Sequence, residues 1–132
     1  MTAKTDFLED RVLDRVLKNN AQFAYSFPAT VYSGLFTADP TDTGSQAAEV
    51  SGGAYARQAI SWGTISSGSV SNSGAITFPV ATAPWGTITH TAILDALTTG
   101  NMLYKGALGT AKTVGTGDQV SFAIGALTVS QG

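Results

Sequence analysis

Apolar residues recur at helical spacing in one stretch of the chain and at strand spacing through most of the rest. Between residues 4 and 18, Leu8, Val12, Leu13, Val16 and Leu17 fall on one half of a helix at about 100° per residue. The flanking residues are those a helix needs. Thr5 suits the N-cap, Asp6 and Glu9 suit the positive end of the dipole, and Lys18 suits the negative end before Asn19 and Asn20 stop the helix. The pattern predicts one N-terminal amphipathic helix within residues 4–20. Its apolar half has to be covered, either by the domain's own sheet or by a neighbouring subunit. Asp14 and Lys18 stand at i, i+4, and an exposed pair of that kind contributes only about 0.3–0.5 kcal/mol.

From residue 28 onward the period changes to two. The central feature is residues 85–108, where two runs rich in Ile, Thr, Leu, Met and Tyr flank Thr98-Thr99-Gly100-Asn101 and read as an antiparallel hairpin. In its first run Ile88, His90, Ala92 and Leu94 are expected on one face, with Thr87, Thr89 and Thr91 on the other. Residues 30–37 read as a central or covered strand, because both faces carry bulk. Residues 54–62 are a second candidate, in which Tyr55 and Arg57 point the same way. A weak strand near Val70 and a short one at residues 75–79 follow. A bend at Thr116-Gly117-Asp118 leads to a last run over residues 119–129, with Val120, Phe122 and Ile124 on one face and a bulge at Gly125. About seven short strands with frequent glycine turns predict a mainly β fold, an antiparallel, jelly-roll-like β-sandwich spanning residues 28–132. With the helix it makes a single domain of residues 1–132.

Composition narrows what such a domain does. Only 12% of the 132 residues are charged, against roughly 25% in ordinary domains, so the surface is unusually neutral and suits contact with other protein. A net charge of -2 without clustered Lys or Arg argues against nucleic acid and against an anionic membrane surface. The absence of cysteine removes disulfides and thiolate chemistry. No run approaches the roughly 20 apolar residues of a membrane span, and the N-terminus does not read as a signal peptide. The expectation is a soluble protein made in a cytoplasm.

Candidate chemistry is sparse. His90 is the one histidine, so a two-histidine metal site or a histidine-centred triad has little to build on. Asp39, Asp42 and Asp118 are turn formers before they are acids, Glu49 is a loop acid and Asp95 ends a strand. A loop calcium at Asp39 and Asp42 lacks the ligand density of an EF-hand. Trp62 and Trp85 are expected in the core with their indole N–H groups on backbone acceptors. Tyr55 and Arg57 either form a stacked pair at a subunit contact or cover an outer sheet face. The expectation is no catalytic residue, no cofactor and no metal. The candidate protein–protein interface is Leu8, Val12, Leu13, Val16, Leu17, Tyr55 and Arg57.

The order of segments FLEDRVLDRVL, PATVYSGLFTADPTDTG, EVSGGAYARQAISWG, SNSGAITFPVATAPWGTITHTAILDALTTGNMLYKGAL and VGTGDQVSFAIGALTVS resembles a family of small tailed-phage virion proteins, often labelled tail fiber proteins. The resemblance covers residues 6–130. It implies a mainly β structural component of a phage virion, made in the bacterial host and without enzymatic activity. Pro40, Gly53, Tyr55, Arg57, Asn72, Trp85, Gly86, Asp95, Gly100, Asn101 and Asp118 then mark turns, strand ends and core anchors. Three functional readings follow. The first is a homo-oligomeric capsid decoration or cement protein bound to the major capsid protein or another virion protein. The second is a tail or fiber attachment protein. The third, from another class, is a glycan-binding module or glycosidase that uses Trp62, Trp85 or Tyr55 as a stacking platform with a nearby carboxylate.

Overall fold

In the computed structural model, which describes residues 3–131, the chain runs β1 (Ala3–Lys4), α1 (Asp6–Lys18), β2 (Tyr32–Phe36), β3 (Gln58–Ala59), β4 (Ser69–Ser71), β5 (Ile76–Thr77), β6 (Gly86–Leu94), β7 (Met102–Val114), β8 (Ser121–Phe122) and β9 (Thr128–Ser130). The long strands β6 and β7 form the expected hairpin at the centre of an antiparallel sheet ordered β1-β7-β6-β2-β3. β2 is internal, paired with β6 on one side and β3 on the other, as its two bulky faces require. Two separate ladders, β4–β9 and β5–β8, supply the opposing layer in place of one continuous second sheet. Between the layers lies a core that includes Leu35, Val50, Ile60, Ile76, Phe78, Trp85, Ile88, Ile93 and Val129.

The hairpin departs from simple alternation. Between the pairs Ile88↔Lys112 and His90↔Ala107, β6 advances two residues while β7 advances five. An irregularity of this kind resets which face each following side chain meets. Ile88 and Ile93 therefore enter the main core, while Ala92 and Leu94 pack with Phe36 and Met102 in a second cluster. Of the expected common face of Ile88, His90, Ala92 and Leu94, Ala92 and Leu94 stay together, while Ile88 leaves for the main core. Thr91, expected on the polar face, is buried. Its hydroxyl donates to the Gly34 carbonyl at 2.9 Å, which makes Ser33 the donor in their 3.2 Å contact.

Two other runs are broken more thoroughly than their sequences suggest. Residues 54–62 contribute only the two-residue β3, because Ala54 turns with φ of +68° and takes Tyr55 and Arg57 out of the sheet. Residues 119–129 split into β8 and β9, which pair in different ladders. Gly125, with φ of +80°, makes a turn between them in place of a bulge, and Ile124 is left exposed instead of sharing a face with Val120 and Phe122. The bend at Thr116-Gly117-Asp118 forms as expected, with the Asp118 carboxylate accepting from Gly115 N–H at 2.8 Å.

Candidate protein interface

Thr5 fixes the start of α1. Its hydroxyl accepts from Leu8 N–H at 3.4 Å and donates to the Met102 carbonyl at 2.5 Å, while its own N–H reaches the Leu103 carbonyl at 3.0 Å. One buried side chain thus caps the helix and attaches it to β7. The far end is fixed differently. Asp14 is only 3% exposed and accepts from the backbone N–H groups of Gln22 and Phe23, at 3.1 and 2.9 Å. The anticipated Asp14–Lys18 pair is absent, since Lys18 donates to Gln22 Oε1.

The segment after the helix folds back along it as a strap. The Arg11 guanidinium lies 4.1 Å from the ring centroids of both Phe7 and Phe23, a cation held between two aromatic faces. Tyr25 packs edge-on against Phe7 and Phe27 and donates its hydroxyl to Asp95 Oδ2 at 2.7 Å. Burial and the bond to Asp95 push the Tyr25 phenol above its usual range. Asp95 also accepts from the backbone and side-chain N–H groups of Asn101, at 2.7 and 3.0 Å. Burial works against its charge, yet these donors hold its carboxyl below the usual carboxylate value.

Held at both ends, α1 turns part of its apolar half to solvent. Leu8 is buried and Val12 half-buried, but Leu13, Val16 and Leu17 are 57%, 72% and 74% exposed. Of the two covers considered for this half, the domain itself supplies one only for Leu8 and part of Val12, with the strap occupying the side of Phe7 and Arg11. Exposed Phe23 and Phe27 extend the apolar character of this region. A groove of 330 Å³ lies along it, lined by Leu13, Leu17, Lys18, Gln22 and Phe23 among others. Neither phenylalanine stands out in the sequence. They lie in a polar, non-periodic segment, and the one signal was the spacing of aromatics at residues 23, 25 and 27.

Tyr55 and Arg57 do come together, but inside the domain. Arg57 is 5% exposed, and all five of its N–H groups have acceptors. Nε and Nη2 meet the two oxygens of Glu49, Nη2 also meets Gln46, and Nη1 donates to the carbonyls of Ala96 and Thr99. Burial opposes the charge on Arg57, but the bonds and charge of Glu49 outweigh it and raise its pKa further. Tyr55 donates to Glu49 Oε2 at 2.7 Å and accepts from Leu35 N–H at 3.0 Å. Burial is the main reason its phenol titrates above the usual range. Its ring stacks on Phe78 and meets Trp85 edge-on, so the pair neither stacks on itself nor covers an outer sheet face.

The same packing removes two of the three aromatic platforms. Trp85 is 5% exposed and donates its indole N–H to the Gly53 carbonyl at 2.9 Å, as expected of a core tryptophan. Trp62 is half-buried and lines an open apolar groove with Val31, Ile65, Val70 and Tyr104. His90 meets the Thr89 hydroxyl through Nδ1 at 2.8 Å. Asp39 closes a turn on Thr41 N–H and pairs with Lys105 at 3.1 Å. No group of three or more metal-ligating side chains occurs among the described residues, and no helix among them is long and apolar enough to cross a membrane.

A family model described as "Podophage GP4 fiber I protein gp80" matches residues 3–130. No curated protein matches the chain.

Proposed function

Because the chain belongs to the podophage GP4 fiber I protein family, we propose that it is a non-enzymatic structural protein of a phage virion, placed on the fiber and attached by the exposed face of α1. The observation that carries this is the face formed by Leu13, Val16 and Leu17. Three large aliphatic side chains stand in water on a helix that is tied down at both ends. Surface apolar groups grouped on a rigid element suit a protein contact. A charge-poor surface, with Asp39, Glu49 and Asp118 committed to turns and internal bonds, suits a role made of contacts and not of turnover.

A second virion position has its own support. The compact sandwich and the lack of an internal repeat suit a capsid decoration protein bound to the major capsid protein at least as well as an elongated shaft. Copy number separates the two. Quantitative mass spectrometry of purified virions, referenced to the major capsid protein, is expected to give small multiples of three or six copies. Hundreds of copies would move the chain to the shell, and its absence from virions would overturn both positions.

A further inference from the structure

The exposed face of α1 is not uniform along its length. At 100° per residue, Asp6, Glu9 and Asp10 share the face of Leu13, Val16 and Leu17, while Arg11 and Arg15 lie toward the other side and Lys18 borders the patch at its C-terminal end. The helix therefore presents an apolar patch with acids on its N-terminal side. None of these three acids has an ion-pair partner among the described residues.

A groove of complementary character lies beyond the middle of β7. It has a volume of 260 Å³ and is lined by Ala107, Leu108, Lys112, Phe122, Ala126 and Leu127 among others, with none of its lining from α1. Leu108 and Phe122 are half-buried at the rim of the core, and Lys112 is exposed without an ion-pair partner among the described residues. β1 pairs with β7 only at Tyr104 and Lys105, so the outer edge of residues 106–114 carries no strand among the described residues. The apolar groove beside Trp62 has no charged residue in its lining and offers the acids nothing.

We propose that α1 of one copy docks into the β7–β8 groove of a second copy, with Leu13, Val16 and Leu17 on Leu108 and Phe122 and with Glu9 and Asp10 facing Lys112. This rests on α1 being the docking element and names its partner. The two surfaces differ, so the contact is heterologous and either closes into a ring or extends. Few side chains are involved, so the area falls below that of a standard interface and association is weak.

Sedimentation velocity of the full chain tests it, at concentrations on the order of 100 µM to match so small an interface. Wild type is expected to be oligomeric. Leu17→Asp and Lys112→Glu are each expected to be monomeric with unchanged circular dichroism, and Val16→Asp serves if Leu17→Asp does not fold. An equimolar mixture of a helix variant with Lys112→Glu still holds one intact helix and one intact groove, and is expected to form a 1:1 complex. Asp10→Lys combined with Lys112→Glu is expected to recover association weakened about ten-fold or more by Lys112→Glu alone. A monomeric wild type, an assembled Lys112→Glu or helix variant, or a mixture that stays monomeric would each overturn the proposal. Copy number on virions is a separate measurement, so failure here leaves the virion assignment to its own test.

Discussion

Glu49 holds Arg57 with both carboxylate oxygens, Oε1 to Nη2 at 2.7 Å and Oε2 to Nε at 2.8 Å, and through Arg57 Nη1 it ties its own loop to the β6–β7 loop at Ala96 and Thr99. The pair is a clamp between loops. A buried ion pair adds little over a well-packed apolar pair, but removing one partner strands the other's charge and costs about 3–5 kcal/mol. Glu49→Ala is therefore expected to lower unfolding stability by that amount in urea melts, and Arg57→Lys to lose much of it because an ammonium cannot span the same acceptors. A change within about 0.5 kcal/mol for Glu49→Ala would show that the clamp is dispensable.

Acid and alkali are expected to act through different groups. Asp95 has its folded pKa below the 3.8 of a free carboxyl, so its contribution is complete above that value and is lost as pH falls through the lower folded one. Asp95→Asn should flatten the acid limb of stability against pH. Tyr25, Tyr55 and Tyr104 have folded pKa values raised above 10.0, each chiefly by burial, so their contribution is complete below pH 10.0 and is lost as pH rises through the folded values. Tyrosinate absorbance should show Tyr25, Tyr55 and Tyr104 ionising above the usual phenol range in the folded chain. Titration of Tyr25, Tyr55 and Tyr104 near pH 10.0 would contradict the packing described.

Thr5→Ala removes both the cap of α1 and its bond to Met102. Expected is a loss of about 1–2 kcal/mol, read most directly as faster hydrogen exchange across the helix than in β6. Equal protection of the two elements in the variant would show that the strap alone seats the helix.

Gly53 has φ of +59°, and a Cβ there would lie 2.8 Å from the Trp85 indole nitrogen and 2.9 Å from the Ala83 carbonyl. Gly53→Ala should therefore cost more than about 2 kcal/mol, from backbone strain and displacement of the Trp85 indole from Gly53. Trp85 fluorescence in the folded variant would report that displacement.

The helix and its cap were legible in the sequence because Thr5, the apolar spacing and the charges at each end act locally. The β6–β7 hairpin was legible for the same reason. What escaped was non-local. Nothing near residue 57 announces that Glu49, Gln46 and two carbonyls of the β6–β7 loop converge on its guanidinium, so Tyr55 and Arg57 read as a strand pair. The register shift after Ile88 depends on the length of β7, not on β6 itself. The exposure of Leu13, Val16 and Leu17 follows from where Asp14 and Phe23 hold the strap, and helical periodicity carries no trace of it.

We propose that the exposed face of α1 attaches this folded structural protein to the virion. The most direct measurement is the amount of chain in purified virions when the phage carries Leu13→Asp with Leu17→Asp. Expected is a folded, accumulating protein whose unfolding stability is within about 0.5 kcal/mol of wild type but which is missing from the particles. Virions that carry the variant at the wild-type amount would show that this face does not attach the protein.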